Sequence, residues 1–203
     1  MGIFDSLKRA AENAVRREVT KTVNNAVRNA ENNIGKGKNK SESFTFNSLP
    51  SSLAELQAMP EAALTSPFAT TALTLAVLCN FERDRAATFE MLDFLKGPAD
   101  TSGFEKQFIT EHLGDALYKA RSFFVGATPE NGYTPNSPYT IIVKENPYSF
   151  DNENWATLWV KSGGGDNERP IKLRKKPSTG QWFLVEIQCL GDIRLPVEAD
   201  PWA

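Results

Sequence analysis

The stretch GATPENGYTPNSPYTIIVK, residues 126–144, separates two kinds of periodicity in the chain. Before it, apolar residues recur every three or four positions, the spacing of helices that turn one face to a core. From Tyr139 onward they alternate with polar residues, the spacing of half-buried strands. The Gly, Pro, Asn and Thr residues between the two regimes mark a turn-rich connection.

Downstream, the alternation predicts strands at Tyr139–Lys144, Trp155–Lys161, Pro170–Lys175 and Gln181–Ile187, with a weaker one near Ile193–Leu195. Their connections, SGGGDNER and KPSTG among them, are hairpin-like. Upstream, FTF (Phe44–Phe46) is a short β-like opening, and Ser52 with Glu55 forms a capping-box pattern for a helix to about Met59. Ser66-Pro67 supplies an N-cap and a first-turn proline to FATTALTLAVLCNF (Phe68–Phe81). That segment is too short to span a bilayer, which needs about 20 apolar residues, and reads as a buried core helix. A further helix over Asp84–Lys96 buries Phe89, Leu92 and Leu95 and stops at Gly97-Pro98. Ser102 with Glu105 caps a fourth, carrying Phe104, Phe108 and Ile109. The predicted fold class is α+β: a helical half followed by a four- or five-stranded antiparallel sheet, over residues 44–203.

Ahead of this domain lies a segment of opposite charge. Residues 1–40 hold nine Lys/Arg against four Asp/Glu, a net of +5, whereas the rest of the chain holds 14 against 21, a net of −7. No proline or glycine interrupts Ile3 to Ile34, and Phe4, Leu7, Ala11, Val15, Val19 and Val23 step at helical spacing. Residues 1–34 are therefore expected to form one long basic amphipathic helix, ended by Gly35. GKGKNKSES, residues 35–43, has no apolar side chain and reads as a flexible linker. The expected contacts of this arm with a membrane or a partner are Ile3, Phe4, Leu7 and Val15 on the apolar edge and Lys8, Arg9, Arg16 and Arg17 beside it. An anionic membrane surface, or self-association through residues 1–34, would satisfy it. Nucleic acid is not expected, because acids interrupt the arm and the body would repel phosphate.

FTFNSLPSSLAELQAMPEAALTSPF, FLKGP, GATPENGYTPNSPYTI, IKLRKKPSTGQWFL and the terminal ADPWA resemble, in order, a bacterial domain family of unknown function found mainly in anaerobic Gram-positive organisms. The resemblance covers residues 44–203 and implies a bacterial, cytoplasmic protein; it carries no activity and no functional residue. MGIFDSLKRAAENAV resembles the opening of phage-shock and vesicle-inducing proteins, whose first helix lies on anionic membranes. That likeness implies peripheral attachment at the inner face of the membrane. A literal match of MGIFDS to the N-myristoylation pattern is read as coincidence, since bacteria generally lack that modification.

No motif carries catalysis. His112, in ITEHLGD, lacks a nucleophile partner and reads as a surface or capping residue. Cys79 lies in an apolar run, Cys189 ends a strand and could be exposed, and two cysteines with one histidine make no convincing zinc site. Gly163–Gly165 lie between strands and lack the helix a phosphate loop requires, so they read as a flexible turn. Lys172, Arg174 and Lys175 (with Lys176) beside Trp182 form a weak candidate ligand or partner surface. Trp155, Trp159, Trp182 and Tyr139 read mostly as core or edge aromatics, which would line a gap beneath the helices if the sheet left one. No cofactor or metal is expected. The sequence therefore points to a non-enzymatic binding or scaffold protein tethered by its arm. The alternative is a small-ligand or enzymatic domain with an apolar pocket between helices and sheet.

Overall fold

The computed structural model describes residues 39–202. The expected helix over residues 1–34, its contact residues and the first part of the linker lie outside that range. Within it, β1 (Ser41–Phe46) is followed by five helices: α1 (Leu53–Gln57), α2 (Pro67–Leu78), α3 (Arg85–Lys96), α4 (Gly103–Leu113) and α5 (Tyr118–Arg121). Four strands follow: β2 (Tyr139–Lys144), β3 (Trp155–Val160), β4 (Arg169–Lys175) and β5 (Trp182–Ile187). The five strands form one antiparallel sheet in the order β1-β2-β3-β4-β5. The fold is α+β, with all five helices inserted between two strands that are neighbours in the sheet.

This arrangement corrects two expectations. Residues 41–43, assigned to the linker, belong to β1, where Ser41 pairs with Lys144 and Ser43 with Ile142. Their side chains are polar because β1 is an edge strand whose outward positions meet solvent. The fifth strand of the sheet is thus β1, whereas Ile193–Leu195 forms none. The chain there is held by single contacts, Arg194 N–H to the Gly164 carbonyl at 3.0 Å and Tyr133 Oη–H to the Arg194 carbonyl at 2.8 Å.

The helix starts follow from their caps. Ser52, Ser66, Asp84 and Ser102 each accept a hydrogen bond from a backbone N–H two or three residues into the next helix, and Ser102 with Glu105 completes a reciprocal capping box. Helix α2 has no polar face; every residue from Phe68 to Leu78 is buried, and it contacts all five strands. Three threonines tolerate this burial because Thr70, Thr71 and Thr74 return their hydroxyls to carbonyls one turn back. The sheet meets α2 with Ile141, Val143, Ala156, Leu158, Val160, Ile171 and Leu173, all buried. Alternation sends Trp155 and Trp159 to the opposite face with Lys172 and Arg174. Those two tryptophans therefore lie away from the helices.

The Gly163–Gly165 loop is a packed joint, which corrects its reading as a flexible turn. Gly163 N–H donates to the Ser122 carbonyl at 2.8 Å, and a Cβ on Gly164 would lie 1.8 Å from Tyr133 Oη. A Cβ on Gly165 would meet nothing closer than 3.5 Å. Gly164→Ala is therefore expected to lower stability by about 1–3 kcal/mol through overpacking. Gly165→Ala should stay within about 0.5 kcal/mol of the parent. Urea denaturation midpoints of the two variants distinguish this joint from a loose turn.

Candidate functional site

A cavity of about 480 Å³ opens between α3, α4 and the edge strand β5. Its walls are mostly apolar: Leu92 from α3, Phe108 and Ile109 from α4, and Leu184 and Ile187 from β5. Phe104 stands at the rim and is 80% exposed. Helix α3 packs on β5 and on α2, while α4 packs chiefly on α5. The space lies where α4 runs past the sheet edge.

One buried lysine joins the three walls. Lys96, in the last turn of α3 and 7% exposed, donates to Glu105 Oε1 on α4 at 2.5 Å and to the Val185 carbonyl on β5 at 3.0 Å. Glu105 is fixed in turn by its capping box, its Oε2 accepting from Ser102 N–H at 2.9 Å and Ser102 Oγ–H at 2.7 Å. Burial alone would push the Glu105 carboxyl up, but the hydrogen bonds from Lys96 and Ser102 outweigh it and hold the group below its ordinary value.

Three polar groups on the same walls retain hydrogen-bonding capacity. Thr101 is 5% exposed, and its hydroxyl has no partner among the described residues, although its N–H donates to Asp93 Oδ1 at 2.6 Å. His112 Nδ1 lies 2.9 Å from the Phe108 carbonyl, and the ring stacks on Phe108 with centroids 4.1 Å apart. A carbonyl can only accept, so Nδ1 carries the proton and Nε2 is left as an acceptor in the neutral ring. Lys96 has a third N–H beyond the two it spends.

The residues singled out from sequence lie elsewhere. Lys172 pairs with Glu186 at 2.8 Å, and Arg174 sits over the Trp155 ring at 5.1 Å. Lys175 lies opposite Trp182 in the register, its Nζ 5.8 Å from that ring. Trp182 is half-buried against the core, edge-on to Phe150, and its backbone N–H donates to the Leu64 carbonyl at 2.7 Å. The structure thus brings Lys175 and Trp182 together, while Lys172 and Arg174 are engaged by Glu186 and Trp155. Cys189 is buried rather than exposed, and burial pushes its thiol, like that of Cys79, up to about 12. Neither supplies a thiolate near neutral pH.

Sequence reading passed over Lys96, Thr101 and Glu186 and set His112 aside as a surface residue. The capping box at Ser102 and Glu105 and the Phe104/Phe108 pair were visible, but nothing in spacing ties them to an edge strand some eighty residues later. Among the described residues, no group of three or more His, Cys, Asp or Glu side chains is arranged to hold a metal ion.

The depressed Glu105 carboxyl sets a pH dependence. A group whose folded value lies below its unfolded value stabilises the fold above the unfolded value and loses that contribution as pH falls through the folded one. Stability should therefore decline below about pH 4.5, the ordinary carboxylate value, and Glu105→Gln should flatten that part of the curve. At neutral pH the same variant should cost about 1–3 kcal/mol, less than a fully buried pair because Glu105 is one-third exposed. Thermal unfolding across pH 3–7 measures both effects.

Comparison with known proteins adds no activity: neither the curated proteins nor the solved structures yield a match. A family model for a domain of unknown function, DUF6935, matches residues 48–197, most of the described domain, and the chain belongs to that family.

Proposed function

We propose that the domain is a binding module for a small, largely apolar molecule seated between α3, α4 and β5. The observation that carries this reading is the cavity itself, about 480 Å³ with mostly apolar walls and a few converging polar groups. Ligand sites commonly occupy about 300–1,000 Å³ and have this composition. A domain serving only as a scaffold has no use for such a space, and one side chain from either wall would narrow it. Binding is favoured over catalysis because burial holds both cysteine thiols protonated, leaving no thiolate nucleophile.

The arm supports a second element of the reading, attachment at the inner face of an anionic membrane. Residues 1–40 carry a net charge of +5 against −7 over the rest of the chain, and each basic residue near such a surface contributes about 1 kcal/mol. Ile3, Phe4, Leu7 and Val15 would enter the lipid boundary, with Lys8, Arg9, Arg16 and Arg17 at the headgroups. Self-association through residues 1–34 is the competing role. Among the described residues, no helix is long and apolar enough to cross a membrane.

Titration of the full chain with N-phenyl-1-naphthylamine, an uncharged apolar dye, tests the binding site. One saturable, blue-shifted site per chain is expected, at least tenfold weaker in Gln188→Trp, which adds bulk at the exposed rim. Enhancement that never saturates and ignores this substitution would remove the reading.

Co-sedimentation with vesicles tests the arm. The double variant Ile3→Asp/Leu7→Asp should lose binding to anionic vesicles while its elution on sizing stays unchanged. Equal sedimentation of variant and parent would eliminate the lipid role, and a change in elution alone would assign the arm to self-association.

A further inference from the structure

We propose that two copies of the chain pair through β1, antiparallel and across a two-fold axis at Ser43, so that their sheets join into one of ten strands.

The two edges of the sheet differ in what covers them. At β5, groups from the helical half close the outer edge. Trp182 N–H donates to the Leu64 carbonyl at 2.7 Å, Thr70 Oγ–H to the Trp182 carbonyl at 3.0 Å and Lys96 Nζ–H to the Val185 carbonyl at 3.0 Å. Strand β1 has no such cover among the described residues. Its phase is fixed by Glu145 N–H, which donates to the Lys40 carbonyl at 2.9 Å. Bonded pairs alternate along an antiparallel ladder, so Lys40, Glu42, Phe44 and Phe46 turn their backbone groups toward β2. Thr140 agrees with this phase: its carbonyl faces away from β1 and accepts from Val125 N–H at 2.8 Å. Ser41, Ser43 and Thr45 therefore present three N–H and three C=O groups outward, and none of these is bonded among the described residues.

Natural edges are usually guarded by proline, a bulge or unpaired charge. Strand β1 has no proline or bulge, and its outward-turned residues are small, polar and exposed. The nearest charges, Lys40 and Glu42, neutralise each other in an ion pair.

The register identifies the occupant as a second copy. Using all the outward groups sets Ser41 opposite the partner's Thr45, Ser43 opposite the partner's Ser43 and Thr45 opposite the partner's Ser41. Each pair exchanges two hydrogen bonds. Hydroxyls then face hydroxyls on one side of the sheet, a favourable cross-strand pairing. On the other side Glu42 meets the partner's Phe44, so half-buried Phe44 gains cover and no like charges oppose. Shifting the partner by two residues either opposes Glu42 to its own copy or leaves Ser41 beyond the end of the partner strand. Because β5 is closed, association stops at two copies. So short an edge pair falls at the small end of interface sizes, below about 1,200 Å², and the dimer is concentration-dependent. The cleft lies beside β5, at the other edge, so the dimer and the ligand site do not compete.

Sedimentation velocity of the full chain over about a hundredfold range of concentration tests the pairing. The parent should move from monomer to dimer. Ser43→Pro removes an outward N–H and puts a ring in the partner's path, so it should stay monomeric. Its thermal unfolding at low concentration should match the parent, because the ladder to β2 is untouched. Ser43→Cys supplies a measurement that does not depend on the proline variant folding. Bonded antiparallel pairs hold their Cα atoms about 5.5 Å apart, within disulfide reach. Oxidation with copper–phenanthroline should therefore link Ser43→Cys into dimers and leave Asn47→Cys unlinked. A parent that is monomeric throughout, a dimer that survives Ser43→Pro, or no more cross-linking at position 43 than at 47 would overturn the proposal. Loss of the dimer in Ile3→Asp/Leu7→Asp would overturn it as well and assign association to the arm.

Discussion

The constraint that organises this domain is a helix without a wet side. Helix α2 is apolar around its whole circumference from Phe68 to Leu78, so it must be covered in every direction. One sheet covers one side only. The chain meets the requirement by extending the sheet to five strands beneath α2 and by packing α3 and α5 against it from above. The threonines fit the same constraint, since each buried hydroxyl is satisfied within α2 or, for Thr70, also by the Trp182 carbonyl at 3.0 Å.

The cavity follows from how the last long helix is attached. Helix α4 is seated in the core through Ile109 and Leu113, and its first turn is joined to the α3–β5 corner through Lys96. A buried ion pair spaces its elements at a length set by the lysine stem, and it tolerates no apolar filler between them. A leucine or methionine at position 96 could pack the corner more closely and at lower desolvation cost. The lysine and Glu105 instead stand in the wall of the cleft, whose other walls are mostly apolar.

Much of the fold was legible because it is written locally. Caps at Ser52, Ser66 and Ser102 announce three helix starts, and period-two alternation announces four strands, all within windows of a dozen residues. The failures share one cause. Ser41–Ser43 carries no apolar signal because an edge strand needs only its backbone to pair. The Gly163–Gly165 joint depends on Tyr133 and Ser122, thirty and forty positions upstream. Helix α5, four residues long, is too short for periodicity to reveal. The cavity was visible only as a general alternative, because Lys96, Thr101 and His112 acquire their meaning from β5. None of these pairings leaves a trace in spacing.

The magnitude of the cavity argues against treating it as a packing fault. A dry void costs about 24 cal/mol per Å³, so 480 Å³ would cost about 11 kcal/mol, as much as the whole stability of an ordinary domain. The space cannot be sealed and dry in a protein that folds. Phe104 at the rim shows that it opens outward, and water then meets apolar walls that selection for stability alone would have closed. Ile109 and Leu184 are buried to 2% exposure and line the inner wall, so closure would need only a larger residue at one neighbouring position. In the binding reading proposed above, a ligand seated in the cleft would take these apolar walls out of contact with water and so offset that cost.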